Sequence, residues 1–236
     1  MRNLWLIWKN PAEKSRRRYR IGTLSAVSKD GQTRFEFKYE NPELNDAIKA
    51  GFTTFPGFEK YDEEYVSKPN ELFPSIAMRL PDPKRPDYLE ILNNYDLTEE
   101  SSDYEILTAT RGRLRNDTFE FVPVFDEDKI EFDLAGTRHS DIGECKNDMN
   151  DDDSLELQLD PLNDKDDNAI KVFYNQATGQ KRTHIGYVPR YYAAELAPRL
   201  KNKQKYSAMI LKIRREPRFD DELVLVRVKL LFAKNN

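Results

Sequence analysis

The sequence predicts an α+β protein in two parts: a small α+β domain over residues 1–130, then a small β-barrel with one or two helices over residues 131–236. Three observations lead there. A length of 236 residues exceeds one average domain and falls short of three. Apolar residues alternate with polar ones in short runs at the start and along the tail, whereas the middle carries apolar residues at helical spacing between prolines. The 13 Phe, 12 Tyr and 2 Trp supply enough large apolar surface for packed cores, even at a mean hydropathy of −0.82.

Leu4 to Trp8 form the first apolar run. Tyr19, Ile21 and Thr23 alternate with Arg20, Gly22 and Leu24, and Phe35, Phe37 and Tyr39 alternate with Glu36 and Lys38, the pattern of half-buried strands. Ser15-Arg16-Arg17-Arg18 falls between the first two as a solvated turn. Pro56, Pro69, Pro74, Pro81, Pro83 and Pro86 then punctuate residues 52–88. Within that stretch Asn70 is placed to cap a short helix carrying Leu72, Phe73, Ile76 and Leu80; Pro74 sits in its first turn, where a missing N–H is tolerated. Tyr88, Ile91, Leu92 and Tyr95 give a second helix. Ser102 or Asp103 starts a third, which carries Ile106 and Leu107 and stops at Gly112. Phe119, Phe121 and Val124 return to strand.

The organisation changes after Asp133. Leu134 to Arg138 read as a strand, residues 141–154 as an acidic loop, and Leu155, Leu157 and Leu159 as an alternating strand. Ile170 with Val172, Ile185 to Val188, Met209 with Leu211 and Ile213, and Val224, Val226, Val228 and Leu230 give four more. Tyr192, Ala193, Leu196, Ala197 and Leu200 share one face of a helix that Pro198 bends or ends. Short strands with one clear helix in about a hundred residues point to a small barrel.

The formal net charge of −4 hides a separation of signs. Residues 1–133 carry 20 basic and 26 acidic side chains, residues 141–168 carry 2 and 11, and residues 169–236 carry 15 and 5, a net +10. A +10 segment attracts phosphate even within an acidic chain, although the same side chains also keep a strand-rich module in solution. No run of about 20 apolar residues offers a membrane span, and the opening apolar stretch is too short for a signal peptide. A soluble, cytoplasmic protein is expected. The single Cys145 excludes an intramolecular disulfide, and with only His139 and His184 there is no zinc set. Phosphate loops, G-x-G-x-x-G turns, kinase catalytic motifs and H-E-x-x-H are absent. His139, Ser140 and Asp141 are the residue types of a hydrolytic triad, but neighbours on a strand point to opposite faces and cannot align. The acidic run from Asp148 to Asp153 lacks the glycine and terminal glutamate of a calcium loop. The expectation is a non-catalytic protein with no cofactor and no metal.

Three stretches of the tail form one pattern. They are Ala135-Gly136-Thr137-Arg138-His139, then Leu159-Asp160-Pro161-Leu162-Asn163-Asp164-Lys165-Asp166-Asp167-Asn168-Ala169-Ile170-Lys171-Val172, then Ile185-Gly186-Tyr187-Val188-Pro189-Arg190 with the Ala- and Leu-rich helix behind it. In spacing and order they resemble the HIRAN domain over roughly residues 131–232. The D-P-x-N-x-x-D-x-N-A-I-x-V string is the specific part. The resemblance implies an OB-related barrel that binds single-stranded DNA and reads a free 3′ end, with Arg138, His139, Asp166, Asn168, Tyr187, Arg190 and Tyr191 as DNA-binding residues. Those roles fit the chemistry. A carboxylate accepts a hydrogen bond from a terminal 3′-hydroxyl, an arginine and a helix N-terminus hold the adjacent phosphate, and an aromatic ring stacks on a base. The chain also departs from the pattern. DNA-reading members place tyrosines after the arginine and just before the aspartate; here His139, Ser140 and Lys165 stand there, so stacking falls to Tyr187, Tyr191 or Tyr192. Asp166, Asn168 and Gly186 are equally the residue types that shape turns between strands.

In the first half, Phe73-Pro74-Ser75-Ile76-Ala77-Met78-Arg79-Leu80-Pro81, Arg85-Pro86-Asp87-Tyr88, and Leu107 with Gly112-Arg113-Leu114 and Asp117 resemble the N-terminal subdomain of bacterial HipA-type serine/threonine kinases. The opening strands and the G-F-x-x-F-P of Gly51 to Pro56 fit that resemblance, whereas the kinase body is missing. It implies a module that docks on a separate HipA-like kinase. Two readings follow. In one, the tail grips single-stranded DNA while the front docks on a kinase. In the other, the chain is an antitoxin-like regulatory subunit of a split kinase, from a toxin-antitoxin system, with no DNA binding.

Overall fold

The computed structural model of the chain describes residues 2–12, 17–40, 43–115, 117–126, 128–176, 181–214 and 216–232. Ser15 and Arg16 of the expected basic turn lie outside them. The chain divides into two compact units, Met1–Val124 and Phe125–Asn236. A boundary at residue 130 would cut the strand Lys129–Asp133, which belongs with the second unit because its partner is the last strand of the chain.

The first unit is built on a five-stranded antiparallel sheet. Its strands are β1 (Leu4–Lys9), β2 (Arg18–Lys29), β3 (Gln32–Tyr39), β4 (Glu64–Val66) and β5 (Phe119–Pro123), in the order β4-β3-β2-β1-β5. Four short helices accompany it: α1 (Leu44–Lys49), α2 (Pro74–Ala77), α3 (Tyr88–Asn94) and α4 (Asp103–Thr110). Phe35, Phe37 and Tyr39 point inward, as their alternation requires. Phe37 meets Phe58 at 4.3 Å between ring centroids, and the Tyr39 hydroxyl donates to the Phe58 carbonyl while accepting from the Phe55 N–H. In β2 the alternation changes phase. Tyr19 and Ile21 are buried, but Leu24 rather than Thr23 follows them, in line with a register shift between Leu6 and Ile7 of β1.

The helices correct one expectation and satisfy another. Asn70 does not cap α2. Its backbone is left-handed (φ 61), its N–H donates to the Thr33 carbonyl and its Oδ1 accepts from the Thr33 N–H. Pro74 starts α2 directly, behind an extended Phe73. By contrast α4 opens with a complete capping box: Ser102 Oγ accepts from the Glu105 N–H and Glu105 Oε2 accepts from the Ser102 N–H. The helix closes on Arg111 in the left-handed region, one residue before Gly112. Arg79, from the proline-framed stretch, is buried and joins distant segments: it donates to the Gly112 carbonyl, to Asp117 and to the Phe119 carbonyl.

The second unit has strands β6 (Lys129–Asp133), β7 (Leu155–Leu159), β8 (Ile170–Asn175), β9 (Arg182–Tyr187), β10 (Tyr206–Ile213) and β11 (Val224–Leu230), with helix α5 (Arg190–Lys201) between β9 and β10. They form two three-stranded antiparallel sheets, β10-β11-β6 and β7-β8-β9. Among the described residues, isolated bridges at Ala135–Tyr187 and Ser154–Met209 stand beside these ladders, and the sheets do not close into the expected barrel. Leu134 to Arg138 is not a strand. Gly136 takes φ 68, which only glycine adopts freely, and turns the chain into a 3-10 turn over Thr137–His139. In β10 the inward side chains are Ala208 and Ile210 rather than Met209 and Leu211. Pro198 lies inside α5 and does not end it. The valines of β11 are fully buried, and Tyr192 of α5 lies 6.0 Å from Phe132, ring to ring.

Candidate nucleic-acid interface

The loop between β7 and β8, residues 160–169, is held by its own side chains. Asn163 Oδ1 accepts from the N–H groups of Lys165 and Asp166, and Asn163 Nδ2 donates to Asp160 Oδ2. Asp166 Oδ1 accepts from the Asn168 N–H at 3.0 Å, and the Ala169 N–H donates to the Asp166 carbonyl. Asp166 and Asn168 thus shape a turn, as their residue types allow. The loop also leans on α5. Arg190, the first residue of that helix, donates from Nη1 to the Lys165 carbonyl at 2.6 Å, and the same nitrogen stands 3.9 Å from Asp166 Oδ1. The side chains of Asp166 and Arg190 keep 16% and 29% of their exposure, so a ligand can reach both.

Tyr187 joins this cluster from the end of β9. Its hydroxyl donates to Asp160 Oδ2 at 3.2 Å, and Lys171 Nζ stands 3.1 Å from the same oxygen. Burial pushes the Asp160 carboxyl upward, but hydrogen bonds from Lys171, Asn163 and Tyr187 outweigh it and hold the group below the usual aspartate range. Burial raises the Tyr187 phenol, so it stays a neutral donor at pH 7. Asp160 and Lys171 are not among the binding residues that the sequence suggested. The signal that was available is their place at the two ends of the D-P-x-N string, flanking the loop they pin.

A bulge aims Tyr187. Val172 pairs with Gly186 and Phe173 with His184, which leaves Ile185 as the extra residue of β9. Strict alternation would put His184 and Tyr187 on opposite faces. The bulge returns both to the outer face, where their rings meet edge to face at 4.9 Å. Gly186 makes the bulge possible: at φ 147 a Cβ would come within 2.9 Å of the Ala135 carbonyl oxygen. Burial lowers the affinity of His184 for its proton, so the imidazole is neutral at pH 7.

Arg138 and His139 are both exposed in the 3-10 turn. The turn begins just after Ala135, which exchanges both backbone hydrogen bonds with Tyr187. Arg138 and His139 are therefore delivered to the same end of β9 as Tyr187. Tyr191 does not join them. It is 5% exposed, with its ring against Tyr192 at 4.6 Å, and Tyr192 is buried as well. Neither offers a face to a base, because both point from the first turn of α5 into the core. Of the aromatic residues considered for stacking, Tyr187 alone is left partly open. The triad letters come to nothing geometric: the Ser140 hydroxyl donates to the Thr137 carbonyl. The acidic run is used in turns, with Asp151 accepting from the Ile213 N–H and Asp153 from the Asn150 N–H. Among the described residues no group of three or more His, Cys, Asp or Glu is placed to hold a metal ion, and no helix is long and apolar enough to cross a membrane.

Chemically, the arrangement sets a helix start and an arginine beside the Asp166 carboxylate, and a neutral tyrosine on Asp160 of the same loop. Comparison with known proteins gives a family for this part of the chain. No curated protein matches the sequence. Among solved structures, the HIRAN domain of human HLTF is similar at 21% identity and a TM-score of 0.33, covering 44% of this chain and 74% of that one. A protein from Lactobacillus plantarum is similar at 22% identity and a TM-score of 0.32, covering 43% and 92%. The family model described as the HIRAN domain matches residues 128–228, a span that takes in the 3-10 turn, the Asp160–Asn168 loop, Tyr187 and Arg190. The second unit of this chain carries a HIRAN domain.

Proposed function

We propose that the second unit binds single-stranded DNA at a free 3′ end, without catalysis. The observation that supports this is the pairing of Arg190, at the start of α5, with Asp166, 3.9 Å away and partly exposed. A terminal nucleotide has the matching parts. Its phosphate is drawn to the arginine and to the positive end of the helix. Its 3′-hydroxyl is a donor for the Asp166 carboxylate. Where the 3′ oxygen is esterified, the donor is gone and a second phosphate faces the carboxylate, which repels it. Tyr187 contributes a ring for the terminal base, and the +10 balance of residues 169–236 adds non-specific attraction.

The test compares oligonucleotides ending in a 3′-hydroxyl and a 3′-phosphate at two salt concentrations. The expected result is at least about tenfold preference for the free hydroxyl, the scale of one charge-assisted hydrogen bond, lost in Asp166→Asn, with both affinities falling as salt rises. Equal binding of the two ends overturns end recognition. Negligible binding of both overturns DNA binding itself.

A second reading concerns the first unit, as a docking module for a separate HipA-like kinase. Its support is the sequence resemblance of Phe73 to Pro81 and Arg85 to Tyr88. Met78, 78% exposed within that stretch, is the place to probe it, although a single exposed apolar side chain is ordinary on a protein surface. Co-expression with a kinase encoded beside this chain tests it; a stable complex that Met78→Asp dissolves is expected, and no complex refutes it.

A further inference from the structure

The outer face of β7-β8-β9 carries more than Tyr187. Behind Tyr187 comes His184, and 5.5 Å from His184 comes Phe173 of β8, its cross-strand partner. Over Phe173, at 3.4 Å from the ring centre, lies the guanidinium of Arg182. That guanidinium is held flat: Nε and Nη2 meet the two oxygens of Glu156 at 2.9 Å each, and Nη2 meets Gln158 at 2.7 Å. Its side chain is 38% exposed. Tyr187, His184 and Phe173 thus touch in succession on one face, at 4.9 and 5.5 Å between ring centres, and Arg182, from the other end of β9, covers Phe173.

Phe173, His184 and Tyr187 are each half-buried on this face, and their contacts also stabilise the sheet as cross-strand pairs do. The bulge at Ile185 is what brings the row into line, since without it Tyr187 would face inward and the row would stop at His184. Its members are the types on which bases stack regardless of sequence: aromatic rings, a neutral imidazole and a planar guanidinium. One end of the row is Tyr187, bonded to Asp160, and Asn163 links Asp160 to the backbone of Asp166 in the loop that Arg190 holds.

From this continuity we infer that the outer face of β7-β8-β9 is a track for the strand leading to the bound terminus, with His184 and the Phe173–Arg182 plate stacking the two or so nucleotides on its 5′ side. The inference rests on the proposed reading of the second unit as a DNA-end binder, and it deepens that reading. The track engages any base, so it adds affinity with length and little sequence preference.

The experiment uses the full chain and two oligonucleotides with free 3′-hydroxyls. A labelled octanucleotide is titrated directly, and a dinucleotide is titrated as its competitor. Phe173→Ala weakens the octanucleotide by about tenfold or more, the scale of one lost base stack, and leaves the dinucleotide unchanged. Phe173→Trp restores the octanucleotide. Arg182→Ala repeats the loss from a side chain on the surface, whose removal leaves the sheet packing intact. Arg190→Ala weakens both oligonucleotides. If Phe173→Ala and Arg182→Ala leave the octanucleotide unaffected while Arg190→Ala still weakens both, the track is wrong and the end site stands. If all three variants weaken both lengths alike, the row is not a separate track. If the unaltered chain binds neither oligonucleotide, the track and the end site fall together.

Discussion

Gly186→Ala is the sharpest test of how the second unit is built. The backbone there has φ 147, and an added Cβ would lie 2.9 Å from the Ala135 carbonyl oxygen and 3.3 Å from Leu134 Cβ. The carbonyl cannot swing away, because it accepts from the Tyr187 N–H at 2.8 Å and belongs to the two-bond bridge that ties the 3-10 turn to β9. An L-residue at such a φ costs about 1–3 kcal/mol, and overpacking against a fixed neighbour costs about 1–3 kcal/mol more. A loss of about 2–6 kcal/mol is therefore expected, the sum of those two effects. Urea unfolding followed by far-UV circular dichroism measures it. Both tryptophans of the chain, Trp5 and Trp8, lie in the first unit, so tryptophan fluorescence reports that unit alone. Circular dichroism should show a transition moved to lower urea while the fluorescence midpoint stays. A shift worth less than about 1 kcal/mol, the size of an ordinary surface substitution, would refute the reasoning that this glycine sets the bulge.

Three further predictions concern stability. Ser102→Ala removes the oxygen that caps α4 and should cost about 1 kcal/mol, visible as faster amide exchange in the first turn of that helix. Glu120 is buried and accepts from Arg18 Nε at 3.1 Å and Arg111 Nη1 at 3.4 Å, so Glu120→Ala removes a charged acceptor from both and should cost about 1.5–3 kcal/mol in the first-unit fluorescence transition. Asp160 and Glu156 both sit below their ordinary values, Glu156 because its hydrogen bonds from Arg182 outweigh burial, and Asp160 because hydrogen bonds from Lys171, Asn163 and Tyr187 do. A depressed carboxylate contributes stability that is complete above its unfolded value, near 3.8 and 4.5 here, and lost as pH falls through the lower folded value. The second unit should thus lose stability progressively below about pH 4.5, and Asp160→Asn should flatten that dependence; an unchanged acid limb in the variant would count against it.

The parts of this protein that rest on local chemistry were readable from the chain. Alternating aromatics at Phe35, Phe37 and Tyr39 and alternating valines in β11 state their own inward faces, because side-chain direction in a strand has period two. Ser102 with Glu105 announces the start of α4, because both partners of the capping box lie within one turn. The Asp160–Asn168 loop carries its own hydrogen-bonding groups, so its form was legible as a motif. What the sequence could not decide is anything that depends on a partner far along the chain. Residues 129–133 join the second unit only because β11 pairs with them. Asn70 turns away from α2 because Thr33 offers it both a donor and an acceptor. Tyr191 has the composition of a stacking residue but is buried by the core behind α5. His184 and Tyr187, at odd spacing, share a face only because pairing with β8 leaves Ile185 unmatched. Period and capping are properties of a few neighbouring residues, and the sequence alone determined them; registers, bulges and the choice of which face is covered follow from long-range pairing, and only the tertiary structure decided those.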